Sequence, residues 1–188
     1  GGIAGIGDLR RPEEECGLFG IYGLSDAATH TALGLHALQH RGQEAAGIVA
    51  YDGEQFHSHR ALGLVGDNFN APEVMERLAC HVAIGHVRYS TTGETVLRNV
   101  QPLFADFKFG GLAVAHNGNL TNAYEIRQRL VQRGCIFQST SDTEAIIHLI
   151  AISEYGRVVE RMTDALSQIQ GAYSMVCITQ KKLIGLRD

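Results

Sequence analysis

The sequence predicts an α+β fold of largely antiparallel sheets faced by helices, and two observations carry that expectation. The elements run in the order strand, helix, a group of strands, two or three helices and two closing strands. Successive strands are joined by short turn signals, at Asp52-Gly53, Gly110-Gly111 and Lys181-Lys182, and not by the helical crossovers that a parallel sheet requires. The 188 residues suffice for one domain with a substantial core, and no internal repeat, low-complexity segment or domain boundary divides them.

The first strand is Leu18 to Tyr22, where aromatic and β-branched residues sit between glycines and Cys16 stands at the strand's mouth. Ser25-Asp26 caps a helix through Ala32, Leu33, Leu35, His36 and Leu38 to about His40, with Gly42 as its stop. Ala45 to Tyr51 and Gln55 to Leu62 form a hairpin, and Pro72 opens a short helix through Ala79. His81 to Tyr89 is a strand, followed by a long loop from Ser90 to Pro102, a length that usually serves function. Phe104 to Lys108 and Leu112 to His116 flank Gly110-Gly111 as a second hairpin. Helical spacing then runs from Ala123 to Arg133, closed by Gly134, and Ser141-x-x-Glu144 reads as a capping box opening a helix through Ile146, Ile147 and Ile150. A third helix covers Val158 to Ile169, and Ala172 to Thr179 and Leu183 to Leu186 close the chain as strands.

Composition narrows the function. The net charge of −4 is spread without basic runs, which argues against nucleic acid or an anionic membrane as partner. No stretch approaches the roughly 20 apolar residues that cross a bilayer. Cys16, Cys80, Cys135 and Cys177 are far apart with no C-x-x-C pair, so neither a zinc site nor a disulfide scaffold is indicated, and a reducing cytoplasm suits them. His36 with His40 and His57 with His59 share faces, yet neither pair has the third ligand or glutamate of a catalytic metal site, so no metal is expected. Residues 1–15 carry two arginines and three glutamates but no apolar segment, and read as a flexible leader instead of a secretory signal.

Four places carry candidate chemistry, each with a plainer reading beside it. Cys16 is a nucleophile candidate at a strand end, or a small buried hydrophobe. Arg88, ending a strand before the hydroxyl-rich Ser90-Thr91-Thr92-Gly93, is a surface cation or a bidentate reader of an amino-acid carboxylate, with Thr91 adding a hydrogen bond. Asn117-Gly118 is a hairpin turn by type, but no strand follows it. The Gly118 N–H and the Asn117 amide then make an oxyanion-hole inventory. Asp142, at the first position of a helix, complements the helix dipole or receives a substrate ammonium.

These places fall within five blocks: Cys16 to Gly20, Leu38 to Ile48, Gly85 to Thr91, His116 to Leu120 and Ser141 to Glu144. In order and together they resemble the glutaminase domain of the amidophosphoribosyltransferase family, over nearly all of Cys16 to Asp188. Glucosamine-6-phosphate synthase is the nearest competitor. Its arginine block resembles Arg-Trp-Ala-Thr-His-Gly, whereas this chain has Arg88-Tyr89-Ser90-Thr91 and no tryptophan. Asn99-Val100-Gln101-Pro102 also fits the purine enzymes better than Asn-Ala-His-Pro.

The resemblance implies a four-layer αββα sandwich of the N-terminal-nucleophile hydrolase type, with residues 16–188 as the glutaminase domain and 1–15 as a propeptide. It implies Cys16 as nucleophile, Asn117 and Gly118 as oxyanion hole, and Arg88, Thr91 and Asp142 as holders of L-glutamine. It further implies a C-terminal phosphoribosyltransferase domain, with Mg2+, that uses the ammonia to make phosphoribosylamine in purine synthesis, and a homo-oligomer. The chain stops at Leu186-Arg187-Asp188, where the family continues, so it is expected to be a fragment. An iron–sulfur cluster, feedback by nucleotides and the ammonia route are not legible here. A domain that keeps the fold and only binds glutamine is the alternative from another class.

Overall fold

The computed structural model describes residues 16–39, 43–89 and 95–188. The leader 1–15, the helix stop at Gly42 and the Ser90 to Gly93 turn with Thr91 lie outside the described residues. Two four-stranded antiparallel sheets form the centre. Sheet A has the order β1-β4-β2-β3, from β1 (Gly17–Tyr22), β2 (Gln43–Tyr51), β3 (Phe56–Leu62) and β4 (Val82–Tyr89). Sheet B has the order β5-β6-β7-β8, from β5 (Leu103–Phe107), β6 (Gly110–Gly118), β7 (Tyr173–Thr179) and β8 (Leu183–Arg187). The helices are α1 (Ala27–Leu38), α2 (Val65–Asn68), α3 (Pro72–Arg77), α4 (Ala123–Gln132), α5 (Asp142–Ile152) and α6 (Val158–Leu166).

Three apolar clusters define four layers. Ala46, Ile48, Ala83 and Val87 pack outward against Ala28, Ala32 and Leu35 of α1. Val49, Val82 and Ile84 meet Ala113, Ala115 and Ile178 between the sheets. Leu112, Val114, Met175 and Cys177 pack against Ile126, Ile146, Ile150 and Met162 of α4, α5 and α6. Central strands such as β2 and β6 are therefore buried on both faces, and they read as apolar runs without polar alternation even though their neighbours are antiparallel. Sheet A and α1 lie close enough that glycine is needed between them: a Cβ on Gly34 would come within 2.6 Å of the Phe19 ring.

Several boundaries move. β2 begins at Gln43 rather than Ala45, with a bulge between Gln43 and Ala45. The β5–β6 turn is Lys108-Phe109, and Gly110, at φ +103°, already pairs with Phe107 as the first residue of β6. The long loop contains one 3₁₀ turn at Leu97–Asn99. The Ser141 hydroxyl caps α5 through the Thr143 N–H, but Glu144 does not close the box. Its carboxylate accepts from the Gln138 and Ser139 N–H groups, 2.7 Å each, and from the Ser139 hydroxyl.

Candidate active site

The pleat of each sheet decides which side chains meet. In β1, Leu18 faces the other sheet, so Cys16, two residues earlier, points the same way, one position beyond the Gly17–Val87 pair and beside Arg88. In β4, Val82 and Ile84 face inward between the sheets, which puts His86 and Arg88 on that face too. In β6, Ala113 and Ala115 share that face, and Asn117 continues it toward sheet A. All three strands end at the same opening, where a cleft of about 660 Å³ is lined by Cys16, Arg88, Asn117, Gly118 and Asp142 among others. Five of the six residues singled out from sequence are thus brought together, and the sixth, Thr91, lies outside the described residues.

Asn117 reaches across the sheets: its Nδ2 donates to the Cys16 carbonyl at 2.9 Å, tying the end of β6 to the residue that carries the thiol. The Cys16 Sγ lies 3.9 Å from the Tyr89 carbonyl oxygen. Asn117-Gly118 is not a turn. Asn117 pairs with Ser174 and Gly118 with Tyr173, so the dipeptide ends a strand, as the absence of a following strand required. Gly118 has φ +140°, and a Cβ there would lie 2.2 Å from the Ala172 carbonyl oxygen, so no other residue fits. The Asn119 N–H bonds to Ala172, toward β7. By alternation the Gly118 N–H points to the opposite edge of the strand, where the cleft opens.

Asp142 opens α5 and accepts from the Leu120 N–H at 3.3 Å. Burial raises its pKa, against the opposing pull of that N–H and of Arg127. Burial also pushes His86 down to about 3, with help from His116 and Arg88, and His116 down to about 4. Both imidazoles are neutral at pH 7 and add no positive charge beside Arg88. None of the ion pairs among the described residues involves Arg88. The cleft thus gathers an arginine, a carboxylate, a thiol, and a side-chain amide with an adjacent backbone N–H. That is a complementary set for an α-amino acid whose side-chain carbonyl meets a nucleophile.

A family model described as a glutamine amidotransferase domain matches residues 86–188. An amidophosphoribosyltransferase of Rhizobium etli is 57% identical over 175 residues, covering 93% of this chain and 35% of the relative. One from Lacticaseibacillus casei is 45% identical over 175 residues, 93% of this chain and 90% of the relative. The chain belongs to the amidophosphoribosyltransferase family. Among solved structures, the glutamine phosphoribosylpyrophosphate amidotransferase of B. subtilis, complexed with ADP and GMP, superposes with a TM-score of 0.84 at 43% identity, over 91% of this chain and 37% of that one. The two stacked sheets between helical layers are therefore the N-terminal-nucleophile hydrolase fold of amidophosphoribosyltransferase glutaminase domains. The chain spans about a third of the length of the Rhizobium relative and of the B. subtilis structure.

Gln101, which lines the cleft, and Asn99, which bonds the cleft residue Thr140, carry no role in the sequence analysis. Gln101 is buried in the loop before β5, with its Oε1 accepting from the His116 N–H at 2.7 Å and its Nε2 donating to the His116 carbonyl at 3.0 Å. Asn99 is buried too, and it holds Thr140 from both sides. Polar residues in a long loop read as solvated by default. The one signal was the Asn-Val-Gln-Pro string itself, which marks the family without saying what its amides touch.

Proposed function

We propose that the chain is the glutaminase part of an amidophosphoribosyltransferase, and that the cleft at Cys16 hydrolyses L-glutamine to glutamate and ammonia. The observation that supports this most directly is the gathering of a thiol, an amide with an adjacent N–H, an arginine and a half-buried aspartate around one opening. In this reading Arg88 takes the substrate α-carboxylate in a two-pronged contact and Asp142 takes the ammonium, which leaves the side-chain amide over Cys16. Thr91, carried over from the family resemblance, would add a hydrogen bond to glutamine.

The Cys16 sulfur attacks the γ-carbonyl carbon, and the carbonyl electrons move to oxygen. The Asn117 amide and the Gly118 N–H take that oxyanion. One hydrogen of the Asn117 Nδ2 is engaged with the Cys16 carbonyl, and the second remains for the substrate. Collapse breaks the C–N bond, ammonia leaves with the proton taken from the thiol, and water cleaves the γ-glutamyl thioester to glutamate and the free thiol. The proton carrier is the α-amine of Cys16 once residues 1–15 are removed. Its ordinary pKa near 8 lies close to about 8.5 for a thiol, so exchange between them is nearly balanced.

The ammonia would pass to a phosphoribosyltransferase domain, using Mg2+, that forms phosphoribosylamine for purine synthesis in a cytoplasmic homo-oligomer. These features are carried over from the family. Among the described residues no helix is long and apolar enough to cross a membrane, and none of the four cysteines forms a disulfide.

Steady-state glutaminase kinetics on a chain beginning at Cys16 test the roles. Asn117→Ala should lower kcat by about 10² to 10³ with little change in KM, because its amide acts on the oxyanion and not on bound glutamine. Arg88→Lys should instead raise KM, since an ammonium cannot make the two-pronged carboxylate contact. An Asn117→Ala enzyme with unchanged kcat and weakened affinity would refute the assignment.

The raised pKa of Asp142 gives a pH signature. Its carboxylate takes up a proton at a higher pH than an ordinary aspartate, and the protonated form cannot pair with the substrate ammonium. On acidification kcat/KM for glutamine should therefore begin to fall above the usual aspartate range. In Asp142→Asn it should already be low, with that limb absent from the profile. An unaltered acid limb in the variant would remove Asp142 from the binding role.

A further inference from the structure

Taking the cleft as the glutaminase site proposed above, we propose that Asn99 and Gln101 are its positioning residues: Gln101 sets the oxyanion donors and Asn99 sets the aspartate that receives the substrate ammonium. The turn that carries them is anchored on sheet A. Gly47 of β2 lies so close beneath it that a Cβ would come within 2.2 Å of the Gln101 carbonyl oxygen, and Arg60 of β3 donates to the Val100 carbonyl at 3.1 Å. From that base two side chains, two residues apart, reach in different directions.

Gln101 serves as the missing neighbour of β6. The β5–β6 ladder ends at the Leu103–Val114 pair, so the backbone of His116 has no strand partner on that edge. The Gln101 carboxamide stands in for one, bonding both the N–H and the C=O of His116. Gly118 faces the same edge one pleat further on, just past the end of the carboxamide. Fixing the His116 peptide groups therefore helps fix where Asn117 and Gly118, the last paired residues of β6, stand at the end of the sheet, and catalytic donors lose effect when they are misplaced by even 1 Å.

Asn99 does the corresponding work behind Thr140, a residue of the cleft lining. Its Oδ1 accepts from the Thr140 N–H at 3.0 Å and its Nδ2 donates to the Thr140 hydroxyl at 2.8 Å. Thr140 stands two residues before Asp142. The segment is also held at Ser139, by Arg127, which donates to its carbonyl at 2.6 Å, and by Glu144, which accepts from its N–H. Without Asn99, Thr140, which lines the cleft, loses both of its bonds to that side chain. Glutamine binding should suffer there before the chemical step does.

Kinetics on the full chain, processed to begin at Cys16, separate the two roles. Gln101→Ala should lower kcat by about 10-fold to 100-fold with KM nearly unchanged, whereas Asn99→Ala should raise KM by about 10-fold with kcat nearly unchanged. The conservative changes should differ as well. Asn99→Asp should recover most of the affinity, because a carboxylate still accepts from the Thr140 N–H and the hydroxyl can turn to donate to it. Gln101→Glu should be no better than Gln101→Ala, because a carboxylate oxygen would then face the His116 carbonyl, which only accepts. Equal losses in kcat and KM from both alanine variants, or an Asn99→Asp enzyme as poor as Asn99→Ala, would overturn the division of labour while leaving the glutaminase reading intact. A wild-type chain that fails to turn over glutamine would overturn that reading and this one with it.

Discussion

Cys16→Ala should abolish glutamine hydrolysis, with turnover falling by about 10⁴-fold or more, while the melting temperature stays within a few degrees of wild type. Among the described residues lining the cleft, Cys16 carries the one thiol, so the variant loses the covalent route and not merely one contact within it. Its stability should hold because Cys16 is only half-buried, at the mouth of a strand and outside all three apolar clusters. Cys177 predicts the opposite. It is 1% exposed among Leu112, Met175 and Ile146, and burial pushes its thiol up to about 12, so it stays protonated and inert. Cys177→Ala should cost roughly 1–2 kcal/mol, lowering the melting temperature by several degrees with kcat unchanged. Cys80, buried against α1, should behave likewise. Cys135 is different: it is partly buried in the loop after α4, and its loss should matter less. Measured kcat and melting temperature for the four alanine variants decide the matter, and substantial turnover in Cys16→Ala would sink the nucleophile assignment.

What could be read from the residues follows a physical line. Elements whose signal is local were visible: the proline that opens α3, the Ser141 cap of α5, and the Asp52-Gly53 turn, where the Asp52 carboxylate accepts from the Glu54 and Gln55 N–H groups. The layering was not visible in the same way. A strand buried on both faces loses the polar alternation that would reveal which side packs on what, so the distribution of β2 and β6 over two cores came only with the fold. The four-residue helix Val65–Asn68 was missed because one turn containing a glycine has almost no periodicity. Its first N–H is taken by the Gln39 side chain, far away in sequence. At the candidate site, Cys16, Arg88, Asn117, Gly118 and Asp142 could be singled out because each stands at the end of an element, where chemistry is usually presented, and the fold brings them to one cleft. Asn99 and Gln101 were not, since their partners Thr140 and His116 lie 41 and 15 residues away, and nothing local marks a loop amide as buried.

The chain that still carries residues 1–15 should turn over glutamine about 10² to 10⁴ times more slowly than one beginning at Cys16, the range ascribed to a positioned acid–base group. While Glu15 acylates it, the nitrogen of Cys16 is an amide, neither a base nor a cation near neutral pH. The thiol proton then has no carrier to the departing ammonia, and the neutral imidazoles of His86 and His116, with pKa values of about 3 and about 4, are poor substitutes. The bulk of a leader beside the thiol could produce the same loss for a different reason. A chain beginning at Glu15 separates the two causes, because it keeps the amide and discards nearly all of the bulk. Intact mass spectrometry and a glutaminase assay on the same samples give the result: if chemistry is the cause, the chain beginning at Glu15 is as slow as the whole chain, and both recover fully once Cys16 becomes the first residue. A full 188-residue chain as fast as the one beginning at Cys16 would show that the α-amine carries no proton in this reaction and that the leader is an ordinary terminus.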